Sequence, residues 1–514
     1  MEMQFLKPMT KWQWKLFFCV IGFASVFWIL SVRFHMMFTS GRIILFGFLA
    51  GSQETVAFTP LETLYPINLN DTSYITNNSL GSYGGIYSAP GKSTASNATY
   101  GTYNYCSMPH PRVSEYQLPA LVAYGNVKAE IVYLEYLQRH QRRTMYNILP
   151  SGETIPFDCS DVLPYLYAGP HDATSQQPIP VYAHTYTDPG NPFLSTYISG
   201  TCQYPQLTIG GLLDGYQHGR DLADVYGKGK LSLFPKSPSP EATYFRSSES
   251  PLTQQSAGGV LRGIWSDYKG SIPLHQQATS IDTVNAGYSC PAMSSTLAKM
   301  KSTTEWQAHL TAISTLRTAL GNMFNADSSA WQGTMDHFAD NFQARLCNGY
   351  SLPCSPTNAS NCVTQGMADE VFRAGDWEWN YYWRANPYVQ KYIQMVEGLL
   401  IGEIVARLES VVKGTIQGGK YSHIFVHDGD IGPVAGALGI NALRWPGMGS
   451  NIAFEVWKVR NYTVASSGAY FARVLYSGQP MESVYGDMDW MPVESLLAIL
   501  RQFVPADIVA LCNS

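Results

Sequence analysis

The chain has 514 residues and carries 33 Lys+Arg against 38 Asp+Glu, a formal net charge of −5. Only 14% of its residues are charged, against roughly 25% in an average soluble domain. Its 45% hydrophobic content supports a large core and excludes general disorder. The acidic balance and the lack of Lys/Arg runs exclude the basic face that nucleic acid requires.

In chain order, residues 1–13 read as a cytoplasmic tail and 14–32 as a transmembrane anchor. From Trp14 to Val32 only Lys15 interrupts the apolar run, which is about the 20 residues a helix needs to cross a bilayer. Lys7, Lys11 and Lys15 lie before the run or in it, and Arg33 and Arg42 follow, so the positive-inside bias is slight. Orientation rests on the Asn-x-Ser/Thr acceptors Asn70, Asn77, Asn97, Asn358 and Asn461, all beyond the run. The expectation is a single-pass type II membrane protein of the secretory pathway, its folded part lumenal or extracellular. A signal peptide cleaved after the second apolar patch, Ile43–Ala50, would give a secreted protein instead. Residues 33–105 read as a glycosylated low-complexity stem, because 66–105 are rich in Asn, Ser, Thr, Gly and Tyr without periodicity.

The folded part begins near Cys106. Ala129–Leu137 is a β-rich run that ends at Arg139-His140-Gln141-Arg142-Arg143-Thr144. Ala242–Phe245 ends at Arg246-Ser247-Ser248 and gives way to a helix over Leu252–Trp265. Tyr421–Val426 ends at His427-Asp428-Gly429-Asp430 and runs into Ile431–Ile440. Strands alternating with helices predict an α/β fold, a mostly parallel sheet with helices on both faces. Residues 106–289 and 387–514 make up this α/β part, and 290–386 have the periodicity of a helical insertion.

Cys19 sits in the apolar run, leaving Cys106, Cys159, Cys202, Cys290, Cys347, Cys354, Cys362 and Cys512. Eight cysteines allow up to four disulfides in any of 105 connectivities. Eight reduced buried thiols would fit the count as well. Together with the one-sided glycosylation acceptors, the cysteines favour an oxidising lumen.

In parallel sheets ligands bind beyond the carboxyl ends of the strands, where helix N-termini favour anions. Arg139, Arg143 and Arg246 with His140 and His427 converge on that edge, with Asp428 and Asp430 as the nearby acids. Guanidinium forks match phosphate oxygens. A neutral His can attack phosphorus, and a carboxylic acid can protonate the leaving alcohol. The His spacing matches no ligand pair, and arginines repel cations, so no metal and no cofactor are expected. Arg142 reads as a solvated neighbour.

On these residues the chain resembles the histidine acid phosphatases, the branch of the phosphoglycerate-mutase-like superfamily that holds acid phosphatases and phytases. The signature Arg-His-Gly-x-Arg-x-Pro corresponds to Arg139–Met145. Leu207-Thr208-Ile209-Gly210-Gly211, Arg246-Ser247-Ser248 and His427-Asp428 match further family segments. Tyr105–Pro111 and the anchor also resemble the membrane-anchored 2-phosphoxylose phosphatase-like branch. The resemblance implies a phosphate monoester hydrolase with His140 as phosphohistidine nucleophile and Asp428 as proton donor. Arg139, Arg143, Arg246 and His427 would bind phosphate. The substrate would be a phosphorylated sugar, glycan or small phosphomonoester, with specificity set by the insertion and the loops of 158–184. Cys290 and Cys512 would pair across the ends of the catalytic fold, and Cys159 and Cys202 are further disulfide candidates. The chain departs from the pattern at Gln141, Met145, Leu252 and Asp430. These leave open a second reading, a weakened or inactive phosphatase fold that binds phosphorylated glycans without turnover.

Overall fold

The three β-rich runs lie side by side in the structure, a computed structural model. It describes residues 60–514 apart from 83–84, 86–90, 96–97, 154, 164, 168–180, 187, 194–199, 229–230, 417–418 and 461–468. The main elements are β1 (Ala129–Arg139), α1 (Ile209–Leu222), β2 (Thr243–Ser247), α2 (Pro251–Ile264) and α3 (Pro291–Lys301). They continue with α4 (Asp336–Cys347), α5 (Gln365–Asn380), α6 (Gly398–Lys413), β3 (Tyr421–Val426) and α7 (Asp428–Ala437). The chain then forms β4 (Asn451–Val459), β5 (Tyr470–Tyr476), β6 (Gln479–Pro480), β7 (Met491–Pro492) and α8 (Val493–Arg501). Helix starts follow capping chemistry: Thr208 Oγ1 accepts the Gly211 N–H, and Ser250 Oγ accepts that of Leu252 ahead of Pro251 in the first turn.

The sheet order is β6-β5-β4-β1-β3-β2, with β7 also on β5. The mostly parallel sheet expected from sequence is corrected here, because the sheet is mixed. Only β1–β3 and β3–β2 pair in parallel, while β1–β4, β4–β5, β5–β6 and β5–β7 are antiparallel. Between α7 and β4 the chain has no crossover helix, and parallel pairing needs such a crossover. The expected convergence survives: Arg139 aligns with Val426 and Ser247 with Phe425, so β1, β2 and β3 end at one edge.

Helices do cover both faces. Tyr133 and Leu137 of β1 pack with Ile404 of α6, Val434 of α7 and Leu497 of α8. Leu134 and Tyr136, on the other face, pack with Leu222 of α1 and Val260 of α2. Residues 290–386 hold several helices and a short antiparallel pair, Cys354–Ser355 with Asn358–Cys362, and Phe338, Phe342 and Trp377 join the same core as the sheet. Residues 57–514 make one compact unit.

The stem reading fails over the described part of 60–105. Leu64, Tyr65, Tyr74, Ile75, Tyr103 and Tyr105 are buried in the main core. Tyr74 Oη donates to Asp376, and Arg373 Nε donates to the Ile75 carbonyl at 2.8 Å. The tyrosines scattered among Asn, Ser and Gly are the packing residues, and they wrap the core with little regular structure. Asn70, Asn77 and Asn358 are exposed, whereas Asn97 and Asn461 lie outside the described residues. So do the tail, the anchor at 14–32 and much of 158–184. Among the described residues no helix is long and apolar enough to cross a membrane.

Four disulfides form: Cys106–Cys347, Cys159–Cys202, Cys290–Cys512 and Cys354–Cys362. Cys290 and Cys512 pair with each other, and the further candidates Cys159 and Cys202 form a bridge of their own. Such a set suits an oxidising, secretory environment.

Candidate active site

His140 follows β1 directly, and its backbone N–H donates to the Val426 carbonyl at 3.0 Å, tying it to the end of β3. Its Nδ1 lies 3.0 Å from the Gln141 carbonyl. A carbonyl only accepts, so Nδ1 carries the hydrogen and Nε2 is left with a bare lone pair. Burial, then the charges of Arg139, Arg143 and His427, hold the imidazole well below its ordinary pKa. The ring is therefore held neutral, with Nε2 free to act as a base or a nucleophile. His427 stands 5.4 Å away between ring centroids, with Nε2 3.2 Å from Ser248 Oγ, and burial pushes its pKa down to about 4.

Asp428 opens α7. Its Oδ2 accepts from Trp445 Nε1 and pairs with Arg139, each at 2.7 Å, and Oδ1 accepts the Gly429 N–H at 3.0 Å. Burial raises its pKa, but Arg139, Trp445, Arg143 and His427 outweigh that and hold the carboxyl below its usual value. Arg143 pairs with Asp340 of α4 at 2.8 Å and donates to the Thr144 carbonyl.

His140, Arg143, His427 and Asp428 line one cavity of about 440 Å³. Trp379, Tyr382, Trp383, Tyr392 and Trp445 form its aromatic wall, with Lys301, Asp336 and Asp340 at its polar side. Arg139 does not line it; its guanidinium is fully buried behind Asp428, bonded to Pro446 O and Tyr105 Oη.

Arg246 is a correction. It does not line the cavity. Its guanidinium is held by Glu403 of α6, by Asp282 at 2.9 Å, and by Gln277 and Thr283. Buried Asp282 and half-buried Glu403 capture it on the α6 side of β2. Arg142 is corrected too, being buried and bound to Asp214, the Thr94 carbonyl and the Cys347 carbonyl.

The departures from the family signature have structural answers. Gln141 avoids positive φ, so a glycine is not needed there for backbone reasons. Its buried side chain lies under Gly449, whose φ is +72° and whose hypothetical Cβ would stand 2.7 Å from Gln141 Oε1. Gly449 also donates its N–H to the His140 carbonyl. Met145 packs with Phe157, Cys159 and Cys202. Leu252 lines the cavity. The Asp430 carboxylate accepts the backbone N–H groups of His427 and Asn285, and burial pushes its pKa up to about 7. Gln141→Gly is accordingly expected to leave a void and cost about 1–2 kcal/mol without raising turnover. Denaturant melts and phosphate release on the variant check this; a gain in turnover would contradict it.

Sequence reasoning missed Asp340, Trp445 and the aromatic wall. Only the last had a local signal, the run Trp377-Glu378-Trp379-Asn380-Tyr381-Tyr382-Trp383. Among the described residues no group of three or more His, Cys, Asp or Glu could hold a metal ion.

Comparison with known proteins adds the following. The chain is 23% identical over 281 residues to 2-phosphoxylose phosphatase 1 of Homo sapiens, covering 54% of this chain and 55% of that protein. The Rattus norvegicus protein of the same name matches to the same extent. The chain thus spans about half the length of the curated relatives it matches. Among solved structures, the Hafnia alvei phytase with myo-inositol hexakis sulphate aligns at TM-score 0.47 and 14% identity, over 75% of this chain and 98% of that one. The Klebsiella sp ASR1 phytase aligns at 0.45 and 15%, over 74% and 99%. The family described as Histidine phosphatase superfamily (branch 2) matches residues 182–477, a span that holds His427 and Asp428 and begins after His140. With more than half its length matched, the chain belongs to the histidine phosphatase superfamily, branch 2.

Proposed function

We propose that the chain is a phosphate monoester hydrolase working through a phosphohistidine at His140. The observation that carries this is the 3.0 Å contact of His140 Nδ1 with the Gln141 carbonyl, which assigns the ring hydrogen to Nδ1 and leaves Nε2 bare in a cavity shared with Arg143, His427 and Asp428. Arg143 and His427 bind the phosphate oxygens. Nε2 attacks phosphorus in line, the N–P bond forms as the ester P–O bond breaks, and Asp428 gives its proton to the leaving oxygen. The resulting Asp428 carboxylate takes a proton from water, which attacks phosphorus, breaks the N–P bond and releases phosphate. Arg139 acts from behind Asp428 rather than on the phosphate.

Asp428 must be protonated to donate, and its pKa is held low, so turnover falls as pH rises through that pKa. The nucleophile stays neutral in acid because its own pKa is held well down. Acid conditions should therefore favour turnover, and initial rates against pH test this.

Aromatic faces suit the C–H faces of a sugar ring. Among the described lining residues Lys301 is the one cation besides Arg143, with Asp336 and Asp340 opposing a polyanion. With the name of the human relative, this favours a phosphorylated sugar or glycan as substrate. The four disulfides and the exposed acceptors Asn70, Asn77 and Asn358 support the secretory pathway, with the 14–32 run as a type II membrane anchor or, if a signal is cleaved, a secreted form. The test is phosphate release from sugar monophosphates, phospho-glycans, phytate and phosphoprotein. Sugar monophosphates should lead phytate; preference for phytate would overturn the substrate reading.

A further inference from the structure

We infer that Trp445 is a positioning residue for the proton donor, its indole N–H holding one oxygen of Asp428 so that the transferable proton sits on the other. This rests on the reading of Asp428 as the acid. Oδ2 accepts the Trp445 Nε1–H at 2.7 Å and faces the Arg139 guanidinium as an ion pair at 2.7 Å, whereas Oδ1 accepts only the Gly429 N–H at 3.0 Å. An oxygen that accepts a short indole N–H bond and faces a cation is the costlier of the two to protonate. The carboxyl proton therefore belongs on Oδ1, and the same oxygen meets the leaving group in every turnover.

Trp445 is itself fixed from several sides. Its backbone N–H donates to Asp376 of α5, and its carbonyl accepts from Tyr103 Oη at 2.7 Å. The indole stacks on Trp379 at 5.5 Å and meets Tyr105 edge-on at 5.8 Å. Such a locked ring delivers its single donor in one direction. The competing account is that Trp445 only walls the cavity, in which case any ring of similar shape would serve.

The charged and titratable groups around Asp428 are Arg139 from β1, Arg143 and Tyr105 from the flanking segments, and His427 and Asp430 at the start of α7. Trp445→Phe leaves all of them in place. In the full chain it should move the alkaline limb of kcat, with p-nitrophenyl phosphate as substrate, up by about half to one pH unit, because one hydrogen bond to the carboxylate is lost. KM should stay within about twofold of wild type, since the phosphate-binding groups are untouched. Benzothienylalanine at 445, with sulfur in place of the N–H, keeps the bicyclic shape and should give the same shift. A carbon-13 carboxyl titration of Asp428, assigned with Asp428→Asn, should move in the same direction. A limb and a titration unchanged in both variants would overturn the inference and leave the wall. If the wild type releases no phosphate, the hydrolase reading fails, and the carboxyl titration alone decides for or against Trp445.

Discussion

His140→Ala is expected to lower phosphate release about ten-thousandfold or more, the scale set by loss of a covalent nucleophile. The fold should survive. The backbone N–H of His140 bonds to Val426 and its carbonyl accepts from Gly449, and neither needs the imidazole. The side chain contributes one hydrogen bond, to the Gln141 carbonyl. Phosphate should still bind, because Arg143 is held by Asp340 and not by His140. Radiolabelled substrate with an alkaline quench, which preserves phosphohistidine, should label the wild type and leave the variant blank. Near-normal turnover by His140→Ala would remove the covalent mechanism.

The second large effect is expected at Asp340. One oxygen pairs with Arg143, and the other accepts the backbone N–H groups of Tyr146 and Asn147 at 2.8 and 2.7 Å. Asp340→Ala strips a buried guanidinium of its counter-charge and orphans two backbone donors. Breaking a buried pair from one side costs about 3–5 kcal/mol, and KM should rise as Arg143 loses its orientation. Asp340→Asn separates the two effects: it keeps an acceptor for the loop, so less stability is lost, while the rise in KM persists. Urea unfolding and steady-state kinetics on both variants check this. Unchanged KM in both would show that Arg143 needs no support from α4.

The success and failure of sequence reasoning divide along chain distance. β1 and β3 are short runs of β-branched and aromatic residues ending abruptly in His and Arg or Asp, so the strands and the edge they share could be read locally. Arg246 ends its strand in the same way, yet its partners Asp282 and Glu403 come from 36 and 157 residues away. Nothing near Arg246 announces them. Asp340 reaches Tyr146 across 194 residues and was invisible for the same reason. Strand direction also escaped, since Asn451–Val459 has the composition of a strand but no mark of its polarity. In 60–105, counting Asn, Ser and Gly hid the four tyrosines that carry the packing.

That N-terminal wrap has a consequence for any released form of the protein. Arg373 donates to the Ile75 carbonyl and Asn78, and Arg444 to the Thr63 and Ser82 carbonyls. Tyr103 and Tyr105 brace Trp445 and Arg139 directly behind the acid. A cut upstream of residue 60 would leave every one of these contacts in place. A cut close to Cys106 would instead discard acceptors for two buried arginines and loosen the donor's surroundings. Cys106–Cys347 would not prevent this, since the bridge fastens the chain only from residue 106 onward. The wrap thus separates cuts that spare the packing behind Asp428 from cuts that remove it.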